Sequence, residues 1–467
     1  MASKFFSLSL PAGEAFVLET EVGNGGSFTV LVDGGENGKD LCAAIDALVV
    51  KGGLSSRNLN VVVCTHSDSD HSKGMPDFAR RWLRCGGSIG EFWLPGGWSA
   101  AFPELLTDPD AFDEKLVQGA LEVQRALAEL GKTDKGDLLR GLELDKPPTV
   151  RLNLSARIDR DLRHLWRRLR PDVLPTALTL DLGMTANDKD SRAKTVRSAL
   201  GLPADYRRVR RRSALKKKTV LFALTEAGGK GSKPLVGAVD KTVDRIKEIA
   251  KAAVAASIPI RWFDFDAFER TRVASGGIPG LLVPMGSCEV TKSPLVSAAV
   301  MYLSLRLTEQ NVESLTFLRP QTDLEPAVIF LGDSRLAFGV EDPVEDFPLS
   351  GVQPPNRPVL ITAAHHGSRV NDRAYDVLGA WLGKALLERC LFVRNGGMWK
   401  QRLNRFFRLP QRICARCVQL CHPAGGSKEQ MNDWRQLVDV ETRSRNWAYP
   451  RHLTRCGTPQ RPNAVVY

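Results

Sequence analysis

Residues 59–71 read LNVVVCTHSDSDH, an apolar run that passes directly into a cluster of imidazole and carboxyl side chains. The β-branched run predicts a buried strand, and a helix is predicted to follow the cluster. His66, Asp68 and Asp70 alternate at a spacing of two, which places their side chains on one side of an extended segment. His71 begins the helix, so its side chain leaves in another direction. One strand-to-helix turn therefore presents two imidazoles and two carboxylates to one volume.

Two interpretations of this turn are open. Without a cation, four such groups packed together would be costly to remove from water. A divalent ion or a pair of ions resolves this conflict, and imidazole with carboxylate suits zinc, manganese or iron. The alternative is a surface loop of Asp and Ser residues in which Asp70 caps the following helix.

A second histidine motif and a further carboxylate favour the metal interpretation. The chain contains seven histidines, and four of them lie in two short motifs. The motif TAAHHGS at 362–368 follows a predicted strand and supplies His365 and His366, of which one is expected to ligate and the other to support it or face a substrate. The strand-like run AVIFLGD at 327–333 ends on Asp333. The alternatives are a buried core histidine and an ordinary turn aspartate.

The remaining motif is the run TVLVDGG, in which Asp33 either accepts hydrogen bonds from the metal loop or occupies a simple turn.

In chain order, DGG, HxDxDH, a strand ending in GD, and HHGS together resemble the metallo-β-lactamase fold. The variant with THxDxDH and HHGS is most similar to the hydrolase domain of bacterial DNA-uptake proteins of the ComEC type. The resemblance implies an αββα sandwich whose metal ligands lie on loops at one edge of the sheets.

The resemblance also implies a centre with two divalent ions, zinc or manganese. One ion would be held by His66 and Asp68, and Asp333 would bridge the two ions. Asp33 would brace the loop. Ser368, beside the ligands, or Arg369 could contact a substrate oxygen. The implied ligands are His66, Asp68, Asp70, His71, Asp333, His365 and His366.

Two members of this set carry implied catalytic roles, Asp70 and Asp333. Asp70, together with His71 and one of the two adjacent histidines, would hold the second ion and orient the nucleophile. The sequence departs from the commoner HxHxDH pattern because Asp68 stands where a histidine is usual. Between residues 72 and 332 the only histidine is His164. The first site is therefore richer in oxygen, which shifts its preference from zinc toward manganese or magnesium.

Composition places the chain among ordinary globular proteins. Its 467 residues are 43% hydrophobic and 25% charged, which excludes wholesale disorder, collagen-like repeats and a membrane bundle. No apolar stretch reaches the roughly 18 residues that span a bilayer, so no membrane association is expected. The start of the chain lacks the pattern of a secretory signal. We therefore expect a cytoplasmic protein with reduced thiols.

The order of predicted elements suggests an α/β protein in four parts. Residues 1–104 and 256–397 alternate strands with helices and form the two halves of the fold. Residues 105–255 are expected to form a basic helical insertion, and residues 398–467 a basic, cysteine-bearing extension. Among the individual elements are helices at 39–50 and 72–84, strands at 258–268, and a helix and a last strand within 374–397.

The net charge of +12 favours an acidic partner, with nucleic acid the commonest. The insertion concentrates this charge in YRRVRRRSALKKK at 206–218, where Tyr206 could stack on a base. A solvated helix face and docking to an acidic protein are the alternatives. The predicted nucleic-acid contacts are Arg207, Arg208, Arg210, Arg211, Arg212, Lys216, Lys217 and Lys218.

The extension offers a second metal site. Cys414 and Cys417 form a CxxC pair, which fits a small structural zinc site when two later ligands join it. The predicted set is Cys414, Cys417, Cys421 and Cys456, with His422 or His452 as alternatives to Cys421. The competing interpretation places the first three cysteines on one face of a helix as buried thiols.

These observations predict a divalent-metal-dependent hydrolase, with phosphodiester bonds of nucleic acid as the first candidate substrate. Two metals would activate a water and stabilise the developing charge. One alternative is hydrolysis of a small-molecule ester, amide or lactam by the same centre. Another is a metal-stabilised module that binds nucleic acid or a protein without turnover.

Overall fold

The computed structural model describes most of the two predicted halves of the fold. The described residues are 3–8, 10–99, 233–291, 313–338 except 324, 347–349, 351–395, 405–410, 412–414, 438–443 and 446–448, with single residues between 101 and 122. Within these ranges, no helix has both the length and the apolar character needed to cross a membrane.

Strands and helices alternate along the described chain. The strands are β1 Lys4–Ser7, β2 Phe16–Val22, β3 Gly26–Val32, β4 Asn58–Val63, β5 Ser88–Pro95, β6 Ile260–Asp264, β7 Val283–Pro284, β8 Cys288–Val290, β9 Phe317–Arg319, β10 Val328–Phe330, β11 Leu360–Thr362, β12 Leu391–Arg394, β13 Arg412–Cys414, β14 Val438–Arg443 and β15 Asn446–Ala448. The helices are α1 Gly38–Val50, α2 Ser69–Ser72, α3 Met75–Arg84, α4 Lys233–Ala256, α5 Phe265–Thr271, α6 Arg373–Leu382 and α7 Lys384–Leu387.

The strands pair into two mixed sheets. Among the described residues, the larger sheet has the order β15-β14-β1-β2-β3-β4-β5-β6-β8, and the smaller has the order β13-β12-β11-β10-β9-β7. The strands β3 to β6 run parallel to one another, as do β10 to β13. Parallel neighbours need crossover connections, and α1 to α4 lie on those of the larger sheet, as α6 and α7 lie between β11 and β12. The predicted α/β class is confirmed.

The two sheets pack face to face through large aromatic side chains. The ring centroids of Phe5 and Phe16 lie 6.1 and 6.5 Å from that of Phe330 in the smaller sheet. Trp93 lies 5.3 Å from Phe317 in the same way. Because side chains alternate along a strand, the neighbouring residues point to the outer faces. On the outer faces, these residues pack with helices in a buried hydrophobic cluster. The helices α1, α3 and α4 cover the larger sheet, and α6 covers the smaller one.

The helix α4 and the tail strands belong to these layers. Ile246 and Ile249 of α4 are buried in the cluster with α1 and α3, and Arg80 of α3 pairs with Glu248 at 3.0 Å. The tail contributes β13 to the smaller sheet, and β14 and β15 to one end of the larger sheet. The strand predicted within 374–397 is confirmed as β12, and β13 to β15 lie in the extension, for which no strand was predicted.

Two predicted elements have different bounds in the structure. The strand predicted over 258–268 stops at Asp264, because the side chain of Asp264 accepts a hydrogen bond of 2.7 Å from the backbone N–H of Ala267 and caps α5. The helix predicted over 72–84 is split into α2 and α3 at Gly74. A Cβ there would lie 2.2 Å from the carbonyl oxygen of Gly34, so only glycine allows the two loops to approach.

Candidate metal centre

The predicted site residues converge where parallel strands end. Asp33 follows β3 and His66 follows β4, and these strands are parallel neighbours in the larger sheet. Asp333 follows β10 and the pair 365–366 follows β11, which are parallel neighbours in the smaller sheet. The carboxyl ends of parallel strands share one edge of a sheet, where ligands commonly bind. The two edges meet at this cluster.

The ring of His66 is oriented by a chain of hydrogen bonds that begins at Asp33. The hydroxyl of Thr65 lies 2.9 and 3.0 Å from the two carboxylate oxygens of Asp33, and the Thr65 N–H donates to the same group at 2.8 Å. Because the hydroxyl proton goes to the carboxylate, the Thr65 oxygen accepts from Nδ1 of His66 at 2.9 Å. The Nε2 atom of His66 therefore faces the cluster.

His71 is held in the same orientation by the same carboxylate. Its Nδ1 donates to Oδ2 of Asp33 at 2.8 Å, and its Nε2 lies 3.2 Å from Oδ1 of Asp333. Both rings are at most 1% exposed. A partner that fixes Nδ1–H leaves Nε2 as the ligating nitrogen, which is the usual arrangement at metal sites.

The two adjacent histidines present their rings in the same way from the other sheet. Nδ1 of His366 donates to the backbone carbonyl of Asn395 at 2.7 Å, and its Nε2 lies 3.0 Å from Oδ2 of Asp70. Nδ1 of His365 donates to Oδ1 of Asn371 at 3.1 Å, and its Nε2 points toward Asp333. All four imidazoles thus direct Nε2 at carboxylates.

The two oxygens of Asp333 face different histidines. Oδ1 lies 3.2 Å from Nε2 of His71, whereas Oδ2 lies 3.6 Å from Nε2 of both His66 and His365. The hydroxyl of Ser314 accepts a hydrogen bond from the Asp333 N–H at 3.0 Å and fixes this position. A carboxylate with its two oxygens turned to two sets of imidazoles has the geometry of a bridging ligand.

The carboxylates raise the affinity of the first imidazole for positive charge. Burial disfavours the protonated form of His66, but the carboxylates of Asp333 and Asp68 outweigh burial and raise its pKa to about 9. For Asp333, burial acts in the direction of a higher pKa. The imidazoles around it, with His71 the largest contributor, nevertheless hold its pKa well below the ordinary value.

The same balance holds on the side of His366. Burial opposes its charge, yet Glu14 and Asp70 raise its pKa to about 10. The pKa of Asp70 is lowered despite burial, because His71 and His366 stabilise the carboxylate. Burial dominates at His365 and lowers its pKa. The cluster as a whole attracts cations.

The donor set fits a divalent ion. The potential ligand atoms of His66, His71 and Asp333 lie within 4.8 Å of one another, as do those of Asp70, His71 and His366. Among the described residues, Nε2 of His66, Nε2 of His71 and Oδ1 of Asp333 are buried without a hydrogen bond. Buried polar atoms normally have partners, and a cation would supply one for all three.

One side of the cluster is open to solvent. The side chains of Asp68, Asp70 and His365 are 38, 35 and 25% exposed, whereas His66 and Asp333 are at most 2% exposed. A substrate would therefore approach from the side of the first three. The side chain of Asp68 lies 3.7 Å from Nε2 of His66, at the edge of the cluster.

Backbone strain is concentrated at this site. Asp33, His365 and His366 have positive φ angles of 64°, 45° and 51°, which residues other than glycine rarely adopt. Such conformations persist where surrounding contacts impose them, and they are common at functional sites. The turn is further fixed by the Ser368 N–H, which donates to the His365 carbonyl at 2.8 Å. No described contact brings the Ser368 side chain to the cluster.

Several residues of the centre were not predicted. Thr65 and Asn371 flank the two histidine motifs, so their proximity in sequence was an available signal. Asn395 directly follows the strand β12, and its side chain donates to the carbonyls of Leu8 and Ala15. Glu14 has no motif around it.

Other predicted residues lie outside the described chain. These are the eight basic residues of 206–218, and Cys417, Cys421 and Cys456 of the predicted zinc site. Cys414 ends the strand β13, so the interpretation that places it on a helix with Cys417 is wrong for this residue. A strand forms here because the segment pairs in parallel with β12.

No known protein family matches this chain, and no curated protein sequence matches it significantly.

Proposed function

We propose that the protein is a divalent-metal-dependent hydrolase with a two-metal centre of the metallo-β-lactamase type. The single observation that carries the proposal is the common orientation of four imidazoles, each with Nδ1 fixed by an acceptor and Nε2 directed at a carboxylate. A buried salt-bridge network does not require that uniformity, whereas a ligating histidine almost always has its other ring nitrogen held by an acceptor. The layered sheets with the cluster at their edge support the fold assignment.

The geometry suggests how two ions would divide the ligands. We name the first set the His66 site, which comprises His66, Asp68, His365 and Oδ2 of Asp333. The second set is the His366 site, which comprises Asp70, His71, His366 and Oδ1 of Asp333. Each set combines two imidazoles with two carboxylates. In this division His365 supplies the imidazole that the HxDxDH motif lacks.

The residues of the chain have distinct roles in the proposed reaction. Bound divalent ions would supply Lewis acidity and a nucleophilic water at neutral pH. Asp33 holds His71 directly and His66 through Thr65, so both rings are fixed before a substrate binds. Asp70, partly exposed beside Nε2 of His366, is placed to accept the proton of an attacking water. The open side admits substrate while the buried side excludes bulk water.

Phosphodiester bonds are the proposed substrate class. The support is the net charge of +12 and the basic segment 206–218. The helix α4, which follows that segment in the chain, reaches the metal loop directly, because Arg245 donates a hydrogen bond to the carbonyl of Ser67.

The test compares the full chain with Asp70→Asn on single- and double-stranded DNA and RNA, each with Mn²⁺, Zn²⁺ or EDTA. We expect cleavage by the wild-type protein with metal and at least about a 100-fold loss in the variant, since a metal ligand and proton acceptor is removed. The matched control is Asp77→Asn, which removes an exposed aspartate on α3 outside the centre.

Equal residual rates in Asp70→Asn and the wild-type protein would contradict the proposal. Carboxyl-ester substrates are assayed in parallel. Cleavage confined to those substrates would keep the hydrolase but replace the phosphodiester assignment. Nucleic-acid binding that survives EDTA without any product would favour the binding module instead.

A further inference from the structure

Glu14 lies in the short segment between β1 and β2, outside every motif of the centre. Its side chain is completely buried. Because β2 runs antiparallel to β3, the residue that precedes β2 lies at the same sheet edge as Asp33. A carboxylate so deeply buried is costly unless a cation or several donors offset it.

The carboxylate of Glu14 contacts the back of the His366 ring. Its Oε2 lies 3.1 Å from Nδ1 of His366, the nitrogen that already donates to the Asn395 carbonyl at 2.7 Å. Among the described residues, neither oxygen of Glu14 has a hydrogen-bond partner. In its ionised form, the carboxylate therefore acts on the imidazole chiefly as a negative charge. That charge increases the affinity of the opposite nitrogen, Nε2, for a cation.

The backbone of the same residue holds the other ligand of that site. The N–H of Glu14 donates to the carbonyl of Asp70 at 2.8 Å. The neighbouring Gly13 has a φ angle of 88°, and a Cβ there would lie 2.3 Å from the same carbonyl. The chain can approach Asp70 this closely only because residue 13 is glycine. Glu14 thus contacts two ligands of the His366 site, His366 through its side chain and Asp70 through its backbone.

We propose that Glu14 is a positioning residue that sets the affinity of the His366 site and leaves the His66 site unaffected. This inference rests on the proposed two-metal centre. The carboxylate orients His366 and strengthens its Nε2 as a ligand, and the backbone fixes Asp70 opposite to it. Its role is separate from that of Asp33, which acts on His66 and His71.

The test is calorimetric titration of the metal-free full chain with Mn²⁺. His66→Asn and Asp70→Asn identify which binding step belongs to which site. In Glu14→Gln, we expect the step that Asp70→Asn removes to weaken about 10- to 100-fold and the other step to stay within about twofold. Co²⁺ loading should change the visible absorption of that same step alone. The control is Glu19→Gln, a buried glutamate of β2 that bonds Ser55 outside the centre.

Each other outcome overturns the assignment. If the wild-type protein binds two ions and Glu14→Gln leaves both steps unchanged, Glu14 has no such role while the proposed function stands. Equal weakening of both steps, or the same effect in Glu19→Gln, would reveal a general structural role. If the wild-type protein binds no ion, the proposed function and this inference fail together. Should Glu14→Gln not fold, Glu14→Asp must weaken the same step, because the shorter side chain withdraws the charge from His366.

Discussion

The cluster around Arg261 and the centre around Asp333 both bury charge between the sheets, but they satisfy it differently. The guanidinium of Arg261 binds both oxygens of Glu289 and lies over the ring of Trp93 at 4.8 Å. Glu91 accepts from the Trp93 N–H at 2.9 Å. Each charged group in this cluster has a partner of fixed geometry, as structural ion pairs require.

The centre around Asp333 has the opposite balance. It contains five carboxylates, and within the described residues only imidazoles pair with them as cations. The five are Glu14, Asp33, Asp68, Asp70 and Asp333. Within the described residues, Nε2 of His66, Nε2 of His71 and Oδ1 of Asp333 have no hydrogen bond, while Nδ1 of both rings is bonded. The difference supports the proposal that the Arg261 cluster stabilises the fold, whereas the centre binds an ion.

Substituting one carboxylate in each cluster gives the largest contrast. In Asp333→Asn we expect Mn²⁺ affinity to fall by at least about 100-fold at both sites, because the proposed bridging ligand loses its charge. In Glu289→Gln we expect unchanged Mn²⁺ affinity and a loss of about 3 kcal/mol in the free energy of unfolding, because a buried charge loses its partner. Titration calorimetry and urea unfolding of the metal-free proteins measure the two effects.

The comparison breaks if the two variants behave alike. A stability loss in Asp333→Asn with unchanged metal affinity would make the centre a second structural cluster. Weakened metal binding in Glu289→Gln would show that the Arg261 cluster also supports the site.

Thr65→Val sharpens the comparison inside the centre. Valine has nearly the same shape as threonine but cannot link Nδ1 of His66 to Asp33. We expect about a 10- to 100-fold loss of affinity at the His66 site, the usual effect of removing a partner of a ligating histidine, and no change at the His366 site. Mn²⁺ titration checks this, with Thr29→Val in the neighbouring strand as the buried control. Equal loss at both sites would show that Thr65 acts through the fold.

The pH dependence of metal binding provides a smaller contrast. Burial opposes charge on both rings, but nearby carboxylates raise the pKa of His66 to about 9 and that of His366 to about 10. In the metal-free protein a proton therefore holds each ring at neutral pH, and a binding ion must displace it. We expect apparent Mn²⁺ affinity to rise about tenfold per pH unit from pH 6 to 8 at the His66 site. The rise should be steeper at the His366 site, because carboxylates outweigh burial and also raise the pKa of its second imidazole, His71. A flat profile would contradict histidine ligation.

Much of the fold followed from local patterns. The runs that became β3, β4 and β10 are apolar and end in polar motifs, so their positions and the convergence of Asp33, His66 and Asp333 at strand ends were predictable. The strands β13 to β15 were not predicted. Of these, β13 spans only three residues in a basic segment, which gives too short a pattern to indicate a strand. Such a strand forms through pairing with β12, which is not encoded locally.

The site shows the same division. The histidines were found because they cluster in sequence, but their ring orientations depend on contacts between distant segments. Nδ1 of His366 is bound by the carbonyl of Asn395, which is 29 residues away. Glu14 meets that ring only because Asn395 joins the end of β12 to the start of β2 through the carbonyl of Ala15. No periodicity or spacing in the sequence predicts this contact.

The most direct test of the metal centre is its stoichiometry. The full chain is stripped with a chelator, equilibrated with micromolar Mn²⁺ and analysed for bound metal per chain. Mn²⁺ suits the test because oxygen and imidazole ligands hold it, whereas the thiolates of the tail prefer zinc. We predict about two ions per wild-type chain and loss of both in Asp333→Asn. Substoichiometric manganese in the wild-type protein, or equal amounts in the two proteins, would contradict the account.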